Sequence, residues 1–204
     1  ADWVVSSWNQ AFVIRSESPV TTIGGGRVLV PAADKIKRVG DAALQCLADL
    51  KEGDGAKRAA AAVYFAGTQP WSMTDLARLA GIDNAEAICE QLVEQGELVQ
   101  LKISAQRHLL WHKQTLEELS QTIEACLAKM HDREPLRSTV DRSRLTNQLS
   151  YCADSAVLEY VLRRMAKAKR VRLNDRGVGL AGRGPQLSKS ETQLLTELVD
   201  KFKA

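Results

Sequence analysis

The sequence predicts a mainly α-helical α+β fold with small β-hairpins, built from tandem winged-helix (helix-turn-helix) domains. Two observations lead to this prediction. Amphipathic helical segments are followed by a short β-hairpin, and this order of elements occurs twice along the chain. With 204 residues, the chain is long enough for two or more small domains, each with its own core.

The composition is typical of a globular protein that does not span a membrane. Apolar residues make up 45% and charged residues 26%, and no apolar run approaches the roughly 18 residues that cross a bilayer. The four cysteines form no CxxC pair, which favours reduced thiols and a cytoplasmic location over a disulfide framework or a zinc site. The chain begins inside a strand-like run without a signal pattern, so we expect a piece of a longer protein.

The first 54 residues predict short strands and then one helix. Residues 3–30 are rich in Val, Ile, Thr and Trp, and Asn-Gln, Ser-Pro and triple-glycine turns interrupt them. After Pro31 the apolar residues recur at helical spacing until a glycine-containing turn at residues 53–55. We therefore assign strands to residues 1–31 and a connector helix to residues 32–54.

The next segment predicts three helices and a hairpin. An alanine-rich helix comes first, a Ser-x-x-Asp pattern at residues 72–75 begins the second, and Gly81 ends it with a left-handed C-cap. Asp83 begins the third helix, and two β-prone runs follow it. Two helices joined by so short a glycine turn form a helix-turn-helix. The sequence therefore predicts a first winged-helix domain over residues 55–112.

The same order of elements then repeats. A long amphipathic helix, a short helix over residues 142–149 and a helix over residues 155–168 precede a hairpin turned by Asp-Arg-Gly. These elements predict a second winged-helix domain over residues 113–182. Residues 183–204 contain a linker and a helix opened by a Ser-x-x-Glu capping box at residues 188–191, which predicts the first helix of a truncated third winged-helix domain.

Charge separates the two winged-helix domains. Residues 131–183 contain twelve Lys or Arg and six Asp or Glu, whereas residues 72–100 contain one Arg and six acidic residues. The second helix of a helix-turn-helix is the usual reader of nucleic acid. In the first domain this helix carries Glu86, Glu90 and Glu94 on one face, which would repel phosphate.

In the second domain the equivalent helix and the hairpin after it are basic, so we expect any nucleic-acid contact there. The alternative is an ordinary solvated face in which Glu159 pairs with Arg163 four residues later. The candidate contact residues are Arg163, Arg164, Lys167, Lys169, Arg170, Arg172 and Arg176.

The sequence predicts no catalytic, cofactor-binding or metal site. The glycine run at residues 24–27 lacks the Lys-Ser/Thr pair and the helix of a phosphate-binding loop. His108 and His112 lie four residues apart in a strand-like run, but no third ligand is near in sequence. We therefore expect no enzyme activity from this chain.

One stretch of eighteen residues, FVIRSESPVTTIGGGRVL at residues 12–29, closely resembles the end of the third domain of bacterial selenocysteine-specific elongation factors. The resemblance identifies residues 1–31 as residual strands of the elongation-factor β-barrel domain. In that family, a GTPase body of three domains precedes a tail of four winged-helix domains.

The resemblance implies a role in protein biosynthesis. The chain would link the GTP- and tRNA-binding body, present in cis, to the end that binds an mRNA hairpin during UGA-directed selenocysteine incorporation. The implied partners are the mRNA hairpin, selenocysteyl-tRNA and the ribosome, with no membrane partner. GTP and Mg would belong to the intact protein. Two alternatives remain: a winged-helix DNA-binding transcription regulator and a protein-binding adaptor.

Overall fold

The computed structural model describes residues 6–31, 40–175, 177–184 and 189–203. It divides the chain into two compact units, Ala1–Leu116 and Glu117–Ala204, called the first and second units below. Short antiparallel strand pairs accompany the helices in each unit. The structure confirms the predicted α+β fold class with winged-helix modules.

The first unit contains two antiparallel hairpins and four complete helices among its described residues. Its elements are β1 (Ala11–Arg15), β2 (Thr22–Arg27), α1 (Asp41–Glu52), α2 (Gly55–Ala66), α3 (Met73–Ala80), α4 (Ala85–Glu94), β3 (Leu98–Lys102) and β4 (His108–His112). Of the predicted connector helix, α1 is the part that lies within the described residues; residues 32–39 lie outside them, as do residues 1–5 of the predicted strand segment.

The helix-turn-helix of the first unit is fixed by its caps. Ser72 and Asp75 form the predicted capping box before α3, because each side chain accepts a hydrogen bond at 3.1 Å from the other residue's backbone N–H. Gly81 ends α3 in the left-handed conformation. The cap of α4 differs from the prediction: Asn84, rather than Asp83, accepts the backbone N–H of Ala87. Both side chains suit the position, and the structure selects the later one.

The core of the first unit lies among its helices and β3. Leu50, Ala59, Leu76 and Leu98 are almost fully buried, one from each of α1, α2, α3 and β3. The β1–β2 hairpin differs from this core, since every residue of both strands is exposed. The hairpin is therefore held by its own ladder and by the segments that flank it.

The second unit has the element order of a winged helix. The long helix α5 (Lys113–Arg133) starts in the first unit and continues here. It is followed by β5 (Val140–Asp141), α6 (Arg142–Gln148), α7 (Ser155–Lys167), β6 (Val171–Leu173), β7 (Gly177–Leu180) and α8 (Lys189–Lys203). The three strands form an antiparallel sheet in the order β5-β7-β6, so the predicted hairpin is β6–β7 and β5 is an unpredicted third strand.

α8 exposes its apolar face. The predicted helix is present, but Ser188 of its predicted capping box lies outside the described residues. Its apolar side chains are all exposed: Leu194, Leu195, Leu198, Val199 and Phe202. The assignment of this helix to a third domain remains a prediction.

Candidate nucleic-acid interface

The candidate interface is built on α7, whose position is set by its cap and its apolar face. The Asp154 side chain accepts the backbone N–H of Val157 at 2.9 Å and so begins the helix at the predicted residue. The inward residues predicted from the sequence are buried in the core of the second unit: Leu158, Val161, Leu162 and Met165. A helix anchored along one face in this way presents its opposite face to solvent.

The opposite face of α7 carries three exposed cations. Arg163 and Lys167 are four residues apart and therefore lie on one side of the helix, and Arg164 lies beside them. Arg164 and Lys167 occupy the last turn of α7, where positive charge also stabilises the negative end of the helix dipole. The basic face thus contributes to helix stability as well as being available to an anion.

Glu159 is the acidic group on this surface, and two arginines share it. Its Oε1 accepts a hydrogen bond from Arg163 Nε at 3.2 Å and from Arg142 Nη1 at 3.1 Å. The Glu159–Arg163 pair expected under the solvated-face alternative is therefore present. Arg163 nevertheless remains 71% exposed, so the pair leaves much of the side chain accessible. One carboxylate between two guanidinium groups leaves the local charge positive.

Arg142 is a residue of this surface that sequence reasoning missed. Besides Glu159, it hydrogen bonds to the backbone carbonyls of Asn174 and Gly177 at the turn between β6 and β7. It therefore connects the start of α6 with α7 and the hairpin. Arg142 lies 17 residues before Glu159 in the chain, so no local spacing pattern could have indicated the pair.

Arg170 was predicted as a nucleic-acid contact, but its guanidinium is engaged by two glutamates of α5. It donates to Glu117 at 2.7 and 3.0 Å and to Glu124 at 2.8 and 3.1 Å. The hydrogen bonds that Arg170 donates to Glu124 and then to Glu117 raise the pKa of Arg170, and the bond to Arg170 lowers the pKa of Glu117. This arrangement ties α5 to the start of β6, and a phosphate would have to compete with two carboxylates for the guanidinium.

The other predicted contact residues lie near the C-terminal end of α7. Lys169 is exposed and adopts a left-handed conformation with φ of 57° just after the helix. Arg172 is exposed on β6, and its guanidinium donates to the carbonyl oxygens of Leu180 and Arg183. Arg176 lies outside the described residues. The structure therefore brings Arg163, Arg164, Lys167 and Lys169 together on and beside one helix face; we call these four residues the basic surface.

The first unit presents a surface of opposite charge. Glu86, Glu90 and Glu94 are all exposed on α4, as the sequence predicted. Trp8 of the same chain packs against the turn before α4. It lies so close to Gly81 that a Cβ added to the glycine would be 2.3 Å from its ring atoms. The helix-turn-helix of the first unit is thus both acidic and partly covered.

Trp8 is held in this position by two further contacts. Its indole N–H donates to the Leu50 carbonyl at 3.2 Å, and the guanidinium of Arg58 lies over its ring at 4.9 Å from the centroid. Arg58 also donates to the carbonyls of Gly53, Ala80 and Gly81. The segment before β1 is therefore fastened to α1, α2 and the helix-turn-helix.

His112 has a structural role in the first unit. It is buried on β4, where its Nδ1 accepts the backbone N–H of Gln114 at 3.2 Å. Burial lowers the pKa of the His112 imidazole, which favours the neutral ring that this hydrogen bond requires.

Among the described residues, no group of three or more His, Cys, Asp or Glu side chains is arranged to hold a metal ion. No helix within the described part of the chain is long and apolar enough to cross a membrane.

The comparisons with known proteins give similarity to solved structures only. No protein-family model matches the sequence, and no curated protein matches it. Among solved structures, the chain is similar to the mRNA-binding domain of elongation factor SelB from E. coli, determined in complex with SECIS RNA. The match covers 62% of this chain and 97% of that chain, with 18% identity and a TM-score of 0.38. A similarity at this level adds no argument about function.

Proposed function

We propose that the chain is the C-terminal part of a selenocysteine-specific translation elongation factor. In this role it links a GTPase and tRNA-binding body to an end that binds an mRNA hairpin. The resemblance of residues 12–29 to that family and the tandem winged-helix modules support the proposal. The intact protein would act in the cytoplasm with the ribosome and selenocysteyl-tRNA, and GTP and Mg would bind outside this chain, which has no catalytic role of its own.

The structural observation that assigns different roles to the two units within this proposal is the opposite charge of their equivalent helices. α4 exposes three glutamates, whereas α7 exposes Arg163, Arg164 and Lys167 opposite its buried face. RNA phosphates would be repelled by the first helix and attracted by the second. We therefore assign phosphate contact to the second unit and a spacer role to the first.

A protein-contacting role for the first unit is compatible with this division. Its helix-turn-helix already contacts Trp8 of its own chain, and α4, the second helix of this motif, is acidic. A DNA-binding regulator would normally use a basic reader helix in each copy of a dimer. The acidic α4 favours the spacer or adaptor role for this unit over DNA recognition.

The test measures RNA binding by fluorescence anisotropy at several salt concentrations. The ligands are a selenocysteine-insertion hairpin and an unrelated hairpin of the same length. The variant replaces Arg163, Arg164 and Lys167 by Gln, which retains helix propensity. We expect the wild-type chain to bind weakly and with little preference between the hairpins. In the variant, binding should be about tenfold weaker, and the slope of log K against log salt concentration should be smaller in magnitude by about 2 to 3.

A charge-matched control separates a local effect from a general one. Lys51, Lys57 and Lys102 are exposed in the first unit, and their replacement by Gln removes the same charge. We expect the control to bind as the wild-type protein does. Equal losses in both variants would show that only net charge matters, and binding that does not depend on salt would contradict phosphate contact.

A further inference from the structure

Two of the four cysteines lie in the second unit and are only partly buried. Cys126 is on α5 and Cys152 is in the turn between α6 and α7. Cys46 and Cys89 are buried in the first unit, where burial raises the pKa of Cys89 to about 11. None of the four cysteines is in a disulfide, and their different burial separates the two pairs chemically.

Contacts with the last residue of α6 and with the residue after it place both cysteines near the C-terminus of this helix. The Cys126 thiol donates to Gln148 Oε1 at 3.1 Å, at the last residue of α6. One turn earlier on α5, Ile123 lines the same small apolar cavity as Leu149. The backbone N–H of Cys152 donates to the Leu149 carbonyl at 2.8 Å, so the turn keeps Cys152 close to the end of α6 that contacts Cys126.

Cys152 also affects the Cys126 thiol electrostatically. Burial raises the pKa of Cys126, and the neighbouring Cys152 raises it further, while Lys129 and Arg133 act in the opposite direction. A hydrogen bond with the Cys152 thiol raises the pKa of the exposed Tyr151 hydroxyl, and the charges of both cysteines add to this. Both cysteines thus lie at the C-terminal end of α6, and Cys126 is also close to the cations Lys129 and Arg133.

We propose that Cys126 and Cys152 form a covalent modification site, at which exchange with a small disulfide such as oxidised glutathione closes a bond between α5 and the α6–α7 turn. One thiolate attacks the small disulfide and releases one glutathione thiolate. The second cysteine then attacks the mixed disulfide and releases the other glutathione. Two protein thiols lose two electrons and two protons, and one oxidised glutathione becomes two reduced molecules.

The bond has a structural consequence for the second unit. It joins the first helix of the module to the turn that precedes α7, and it closes a loop that is open in the reduced chain. A cross-link of this kind stabilises the folded state by restricting the unfolded chain. The thermal transition of the second unit should therefore move to higher temperature on oxidation and return after reduction. This proposal does not depend on the RNA-binding function.

The test exposes the folded chain to oxidised and reduced glutathione at pH 8, traps free thiols by alkylation and maps peptides without reduction. The expected product has lost about 2 Da, the mass of two hydrogens, and contains a Cys126–Cys152 peptide link. Cys46 and Cys89 should remain unlinked and should be alkylated only after unfolding. Mapping the wild-type chain requires no substitution, so a variant that fails to fold cannot obscure the result.

Two single variants complete the design. Cys152→Ser should leave Cys126 as a mixed disulfide with glutathione and should remove the oxidation-dependent rise in melting temperature. Cys89→Ser, the control, should still form the link. Mixed disulfides without an internal link in the wild-type chain, or a link between other cysteines, would overturn the proposal.

Discussion

Gly81 follows α3 with φ of 59° and ψ of 50°, a left-handed conformation that residues with a Cβ adopt only at a cost. It also lies against Trp8, because a Cβ at this position would be 2.3 Å from the ring. We expect Gly81→Ala to lower the free energy of unfolding by about 2 to 4 kcal/mol, since backbone strain and overpacking both contribute. Urea denaturation measures the change.

Gly96 provides the matched control for this substitution. It also has a positive φ, 74°, but no atom lies within 4 Å of an added Cβ. Gly96→Ala should therefore show the backbone cost alone, about 1 kcal/mol. Adding Trp8→Ala to Gly81→Ala should recover part of the loss, because the ring that meets the Cβ is gone. Equal losses at the two glycines would mean that Trp8 does not occupy the turn in solution.

At the scale of elements, Arg170 joins α5 to the start of β6 through Glu117 and Glu124. We expect Arg170→Ala to destabilise the second unit by about 1 to 2 kcal/mol, a value reduced because both glutamates remain partly exposed. Arg163→Ala removes a single exposed pair and should cost less than about 0.5 kcal/mol. Chemical denaturation of the two variants compares them directly.

The pH dependence of the stability lost in Arg170→Ala identifies the cause of that loss. Arg170 lowers the pKa of Glu117 below its ordinary value of 4.5. A lowered carboxyl pKa contributes stability that is complete above pH 4.5 and is lost as the pH falls through the lowered value. The difference in the free energy of unfolding between the wild-type protein and Arg170→Ala should therefore become smaller in acid. A gap that is constant with pH would indicate a packing effect instead.

The helices were predictable because their signals are local, whereas several contacts were not. The capping box before α3 and the Asp154 cap of α7 are each contained within four residues. β5 has only two residues and exists because Val140 pairs with Val178, far along the chain. The sequence predicted that Arg170 could contact nucleic acid, because the glutamates that bind it are 46 and 53 residues away and form no local pattern with it. Short-range periodicity cannot show such pairing.

At the scale of the whole molecule, charge follows the division into units. The second unit has sixteen Lys or Arg and twelve Asp or Glu, whereas the first has twelve and thirteen. The sequence predicted this asymmetry because charge can be counted without a fold. It could not show which cations form the basic surface, since that depends on burial of one side of α7 and on the engagement of Arg170 by α5.

The two units have separate cores, and this leads to a prediction about cooperativity. Leu76 is 2% exposed in the first unit and Leu158 is 1% exposed in the second. Truncation of either to Ala should cost about 2 to 5 kcal/mol, because each removes buried apolar contacts. If each unit unfolds around its own core, hydrogen exchange of Leu76→Ala should accelerate in the first unit and leave α7 protected, with the reverse pattern for Leu158→Ala. Faster exchange across both units in either variant would show that the chain unfolds as a single cooperative body.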